Sequence, residues 1–203
     1  ALSINNVPFS NVTSRILSNE RVLEMDNAVM RRCMVFRDSN GRRTRIDSCR
    51  FVSMADRNLV CLRYVVKPLD HDLPVKVNGY LFRDVANTNG VELWEPGKEI
   101  NETERRALEC VTRQSKIRVA VAQAQTLTEY EGKIYLDLFA VAGVMSIDDA
   151  LEKASAAAGK GYEACVTRHK RAFHRERAAA KVEFDGNPDT VQGFNFSQMH
   201  LHL

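Results

Sequence analysis

The chain has 203 residues, 29 Lys or Arg against 26 Asp or Glu, a formal net charge of +3, and 44% hydrophobic residues. That length fits one large domain, or one domain with an appendage, and can bury a core without staples. The balanced charge argues against nucleic acid, whose binders gather basic residues on one face, and no apolar run reaches the roughly 18 residues of a membrane helix.

Five cysteines, Cys33, Cys49, Cys61, Cys110 and Cys165, form no CxxC and no zinc-spaced cluster with histidine. The expectation is free thiols in a reducing, cytoplasmic compartment, with no metal and no cofactor. The opening "ALSINNVPFS" has neither the basic nor the apolar region of a signal peptide. It also lacks an initiator Met, which suggests a trimmed or truncated chain.

In chain order, the first two thirds read as strands. "VMRRCMVFRD" and "RRTRIDSCRFV" flank Ser39-Asn40-Gly41, a hairpin signal because Asn-Gly tolerates positive φ at both central turn positions. "NLVCLRYVVKP" places Val60, Leu62, Tyr64 and Val66 on one face and Leu59, Cys61, Arg63, Val65 and Lys67 on the other, and Pro68 closes it. "LPVKVNGYLF" alternates through Val75, Val77, Gly79 and Leu81. "KIRVAVAQAQ" alternates through Ile117, Val119 and Val121. Each such strand offers one face to a core, and several at this spacing predict a β-sandwich.

Between those last two strands, residues 83–106 read as one long polar excursion holding Trp94, the chain's only tryptophan. A long loop leaving a sheet is commonly functional. Its "NTNGVELW" offers asparagine donors and acceptors beside an indole able to stack on a sugar ring. Asp84, Asn87, Asn89 and Trp94 are therefore the candidate substrate-binding residues.

The period then changes. Ser146 reads as an N-cap with Asp149 three residues on. Ile147, Leu151, Ala154, Ala158, Tyr162, Cys165, His169 and Phe173 form one apolar helical stripe. Gly159 and Gly161 predict a kink or two shorter helices. A turn at 185–189 precedes a last helix that begins an apolar face and stops.

No residue set carries self-contained catalysis. GxSxG, GxxxxGK[ST] and HExxH are absent. Glu102/Glu104 and Asp148/Asp149 are sequence neighbours, unlike the separated carboxyls that flank a scissile bond. His71, His169, His174, His200 and His202 read as turn or helix-edge residues. The arginines of residues 42–50 divide between the two faces of a strand, Arg42 and Arg50 against Arg43 and Arg45. Asp38, Asp47 and Asp56 lie close to them. That is a solvated sheet face with ion pairs.

Several segments, in order, resemble the N-terminal part of glycoside hydrolase family 65, which holds maltose, trehalose and kojibiose phosphorylases and related acid trehalases. Arg50-Phe51-Val52-Ser53, Asp56, Leu59, Arg63-Tyr64 and Pro68-Leu69 occupy the places of the family's "S.RFVS..D..L…RY.V.PL". "VKVNGYLFRDVANTNG" is similar to the next strand and loop, and residues 146–173 to its helical linker. "VEFDGNPDTVQGFNFSQMHL" is similar to the entry to its barrel. Departures are Phe173 and "HRERAAAK" where tryptophans are common, and Gly193-Phe194-Asn195 in place of the family's "RFN".

The resemblance implies a mainly β fold, an antiparallel sandwich of the galactose-mutarotase-like type, followed by a helical linker. Its domains would be a sandwich over 1–143, a linker over 144–180 and the start of a truncated (α/α) barrel over 181–203. It implies a non-catalytic N-terminal domain of an inverting α-glucoside phosphorylase or hydrolase. The disaccharide would meet the missing catalytic domain, with inorganic phosphate as co-substrate in a phosphorylase. A homodimer is expected. The competing expectation is a stand-alone carbohydrate-binding or dimerisation module.

Overall fold

The computed structural model describes residues 2–9, 14–82, 93–179, 182 and 185–202. Eleven strands and three helices follow in order: β1 (Leu2–Ile4), β2 (Val7–Pro8), β3 (Arg15–Glu24), β4 (Val29–Arg37), β5 (Arg43–Val52), β6 (Leu59–Pro68), β7 (Val75–Val77), β8 (Trp94–Asn101), β9 (Arg105–Thr112), β10 (Arg118–Tyr130), β11 (Lys133–Gly143), α1 (Ile147–Lys160), α2 (Tyr162–Ala179) and α3 (Pro188–His202).

Two antiparallel meanders, β3–β6 and β8–β11, join along β6 and β11 into one eight-stranded sheet ordered β3-β4-β5-β6-β11-β10-β9-β8. A three-stranded sheet, β2-β1-β7, packs on one face and the helices cover the other. The mainly β, antiparallel sandwich followed by helices is therefore the observed fold.

The strands expected from alternation form, with three differences. First, the hairpin at Ser39-Asn40-Gly41 closes through residues 38–42, and of Asn40 and Gly41 only Gly41 takes positive φ, at 84°. The Asp38 carboxylate accepts the N–H groups of Asn40 (2.9 Å) and Arg42 (3.0 Å), so the turn is held by an acceptor and needs no second left-handed residue. Second, the strand at 75–82 ends at Val77. Gly79 donates its N–H to the Gln125 side chain (3.0 Å), and a Cβ there would lie 2.5 Å from both Gln123 Nε2 and Leu138 Cδ2. The chain drops onto the sheet here as only glycine can. Third, the supposed excursion over 83–106 contains a strand and the start of another. Residues 94–101 and 105–112 pair as β8 and β9 around a short turn, with a bulge between Pro96 and Glu99. Pro96 and Gly97 hid β8 from a reading based on alternation, and both are tolerated because β8 is an edge.

The sheet is buried on both faces at its centre, so its strands do not each offer only one face to a core. Facing the helices, Phe51, Leu59, Cys61, Phe139 and Val141 pack with Ala107, Ala120, Ala122 and Ala124 against Ile147, Ala150, Leu151, Ala154 and Tyr162. Facing the small sheet, Met34 and Phe36 pack with Ile4, and the Phe9 and Phe36 rings lie 4.3 Å apart. Each fully buried phenylalanine contributes roughly 1.5–3 kcal/mol through removal from water.

In β10 the expected inward face was that of Ile117, Val119 and Val121, yet Ile117 precedes the strand and is exposed, and Ala120, Ala122 and Ala124 are the buried residues. Helix α1 lies directly over them, and small side chains let a helix approach a sheet closely.

The single apolar stripe becomes two helices. Ser146 Oγ accepts the Asp149 N–H at 3.1 Å, as expected for a cap. Gly161, with φ 79°, ends α1 by donating to the Ala157 and Ala158 carbonyls. Helix α3 starts at Pro188, where the Asn187 side chain accepts the Asp189 N–H at 2.8 Å.

Candidate functional site

The described residues concentrate their buried polar chemistry in two places, one on each face of the large sheet. The first is the seam where α2 meets the sheet. Arg63 on β6 and Asp137 on β11 are directly opposed in the ladder. Two bonds join them, Nε to Oδ1 at 2.6 Å and Nη2 to Oδ2 at 2.8 Å. The third nitrogen, Nη1, donates to Glu163 of α2. The guanidinium also lies 4.2 Å over the Tyr162 ring. Arg63 is thus raised above its ordinary pKa, chiefly by the Asp137 hydrogen bonds. A planar fork satisfies carboxylate, second carboxylate and aromatic face at once, which lysine could not do.

Tyr162 donates its hydroxyl to the Cys49 carbonyl (3.1 Å), and burial pushes its phenol upward. Burial likewise raises Cys61 and Cys165, so both are unreactive thiols.

One turn along α2, His169 is wholly buried and stacks on Phe51 with ring centroids 4.6 Å apart. Its Nδ1 accepts the Met54 N–H (3.2 Å) and its Nε2 donates to the Asn27 carbonyl (2.8 Å). These partners need the neutral ring with the proton on Nε2. Burial lowers its pKa in keeping with that. His174 and Arg177 then reach Asp26 in the β3–β4 turn, at 3.0 Å to the carbonyl and 2.5 Å to the carboxylate. His169 was expected at a helix edge. Its place on the apolar stripe was the available signal that it is buried.

The second cluster lies on the opposite face. Gln125 holds Gly79 N–H, Asn78 Oδ1 (2.7 Å) and the Thr103 carbonyl (3.0 Å). Beside it, Arg106 is buried and donates from Nε to Asn101 (3.1 Å), with its guanidinium 5.3 Å over the Tyr80 ring. Among the described residues, the buried Arg106 Nη1 and Gln123 Nε2 have no hydrogen-bond partner. Above this floor Tyr80 is half exposed and Phe82 is 79% exposed.

Of the four candidate substrate-binding residues, Asp84, Asn87 and Asn89 lie outside the described residues. Trp94 is the first residue of edge strand β8, opposite Thr112, and is 42% exposed. The polar floor stands at the other end of β8, beside Asn101, so it does not include Trp94. Sequence reasoning missed Arg106, because nothing in "NETERRALEC" marks which of two adjacent arginines points inward.

The arginine-rich stretch carries ion pairs: Arg42 with Asp38, Arg43 with Asp70, Arg45 with Asp47 and Arg63 with Asp137. Among the described residues no group of three or more His, Cys, Asp or Glu could hold a metal ion, and no helix is long and apolar enough to cross a membrane.

Residues 1–146 match the model of "Glycosyl hydrolase family 65, N-terminal domain". A kojibiose phosphorylase of Caldanaerobacter subterraneus subsp. tengcongensis is 32% identical over 73 residues, covering 36% of this chain and 10% of that protein. A solved structure titled "Putative kojibiose phosphorylase from human microbiome" superposes with a TM-score of 0.83 at 12% identity, over 99% of this chain and 30% of that one. The likeness in structure bears on the fold, and the chain spans less than a third of either relative. The motif residues of the resemblance also have structural explanations. Phe51 lies in the core, Ser53 and Asp56 form the β5–β6 turn, and Arg63 locks the seam. The chain belongs to glycosyl hydrolase family 65 and carries that family's N-terminal domain.

Proposed function

We propose that this chain is the non-catalytic N-terminal domain and linker of an inverting α-glucoside phosphorylase or hydrolase that acts on disaccharides. Its task is to hold the helical linker in one fixed pose, so that a catalytic barrel following it is presented correctly. The observation that supports this most is the seam. Arg63, Tyr162 and His169 tie α2 to the sheet through buried, directional contacts that a mere tether would not need. The division of labour is a sandwich over 1–143, a linker over 144–180 and the first barrel element over 181–203. A glutamic acid in the barrel would protonate the leaving oxygen while phosphate or water attacks the opposite face of the sugar. The protein is read as a cytoplasmic homodimer without a cofactor, using inorganic phosphate as co-substrate in the phosphorylase case.

The test is expression of the full-length gene and incubation with α-linked disaccharides, with and without phosphate, followed by NMR of the anomeric products. Inverted sugar 1-phosphate or inverted free sugar is expected. Absence of turnover on every α-linked glucobiose, by a folded full-length protein, removes the reading.

A second reading, a carbohydrate-binding surface, is favoured by Tyr80 and Phe82, exposed beside a buried arginine. Exposed aromatic rings near fixed polar groups suit sugar stacking. Titrating disaccharides against this chain to millimolar concentration, with Tyr80→Ala as comparison, decides it.

A further inference from the structure

The break between α1 and α2 borders a small cleft on the helix-covered side. Ser53 and Asp56 of the β5–β6 turn, Lys153 and Lys160 of α1, and Cys165 and Arg168 of α2 line it. Its volume is about 90 Å³. The cleft opens to solvent and has room for a tetrahedral oxyanion.

The exposed cations that line this cleft are not balanced by carboxylates, whereas several basic residues elsewhere are paired. Arg31, Arg42, Arg43, Arg45, Arg63, Arg105, Lys116 and Arg177 each have a carboxylate partner. Among the described residues Lys153, Lys160 and Arg168 have none, although all three converge on one cavity. The single lining carboxylate, Asp56, is already turned to the backbone, with Oδ1 accepting the Asn58 N–H at 3.3 Å. Three cations against one carboxylate leave two positive charges in excess. Low-dielectric walls of Ala156, Ala157 and Leu59 concentrate such a field. The buried Ser53 hydroxyl accepts the Asp56 N–H at 3.1 Å and keeps its own proton to donate.

We propose that this cleft binds a phosphoryl dianion, as inorganic phosphate or as the phosphate end of a phosphorylated sugar, clamped by Lys153, Lys160 and Arg168. The lysines act as point charges and the arginine as a two-pronged donor. The organic part of a sugar phosphate would project through the open mouth. Because the three cations come from two helices and the wall from a sheet turn, an occupied cleft braces the Gly161 break against the sandwich. The inference goes beyond the enzymatic reading and stands or falls without turnover.

The experiment is calorimetric titration of the 203-residue chain, with melting curves alongside. The probes are inorganic phosphate, glucose 1-phosphate, glucose, and sodium chloride at matched ionic strength. Saturable binding of phosphate or glucose 1-phosphate with a raised melting temperature is expected, and whichever binds more tightly identifies the source. Lys160→Gln and Arg168→Gln should each weaken binding about tenfold, the effect of losing one charge-assisted contact. Lys98→Gln, which removes the same charge from the distant strand β8, should leave it unchanged. The proposal is overturned if chloride reproduces the shift, if glucose alone binds as well, or if Lys98→Gln matches Arg168→Gln.

Discussion

The two faces of the eight-stranded sheet are built by opposite means. The helix-covered face is a fitted surface. Alanines on β9 and β10 let α1 lie close, and the charged groups on this face are paired, Arg63 with Asp137 and Glu163, and Glu109 with Arg118. The other face is assembled loosely. A three-stranded sheet covers one end, a glycine-led segment crosses the middle, and two buried nitrogens have no partner among the described residues. Val52 and Val60, paired across β5 and β6, stay substantially exposed on it. The difference teaches that the molecule spends its directional chemistry on fixing α2 to the sheet, and leaves the far face tolerant.

The sharpest way to break that contrast is at the seam. Asp137→Ala strands the Arg63 guanidinium in a largely buried site and should cost about 3 kcal/mol or more, seen as a lower urea midpoint. Arg63→Lys should recover only part, because an ammonium cannot serve Asp137, Glu163 and Tyr162 together. A loss below about 1 kcal/mol would show the seam to be ornamental.

Next comes a pair of adjacent residues on opposite faces. Ala122→Leu overpacks the α1 contact and should cost roughly 1–3 kcal/mol, whereas Val121→Ala, on the loose face, should cost under about 1 kcal/mol. Equal costs would erase the distinction between the faces.

The pH dependence sharpens the contrast further. Burial holds the folded pKa of His169 below 6.5, so the unfolded chain binds the proton more readily. Stability from this group is complete above about pH 6.5 and is lost as pH falls from there toward the folded value, with a slope of at most about 1.4 kcal/mol per pH unit. His169→Phe should flatten that window in chemical denaturation at pH 5 to 7. An unchanged slope would move the effect to other groups.

The smallest effect is expected on the loose face. Arg106→Met removes a buried, half-satisfied guanidinium while keeping the apolar stem, and the melting temperature should stay within a few degrees or rise. A large loss would mean that Arg106 holds something in place, and would favour the carbohydrate-surface reading.

Much of the fold was legible because local pattern and tertiary role agree. Period two marked β4, β5 and β6, the Ser146 cap marked α1, and Gly159 and Gly161 announced the break. The candidate site was far less legible. "RFVS" and "RY" stood out by resemblance, but that Arg63 meets Asp137 and Glu163, 74 and 100 residues away, is a consequence of β6 lying beside β11. Strand β8 was missed because an edge strand tolerates the proline, glycine and charges that otherwise signal a loop.

By itself the sequence determined most element types, the mainly β character and a break in the helical stripe near Gly159 and Gly161, since propensity, capping and alternation act over a few residues. Only the tertiary structure decided which face of each strand is inside. In β10 the larger valines lie on the less buried face and the alanines inside, because the depth of the core is set by how closely α1 can approach. The same long-range packing made His169 a neutral core residue and left Lys153, Lys160 and Arg168 around an unneutralised cleft. No window of neighbouring residues contains those distances.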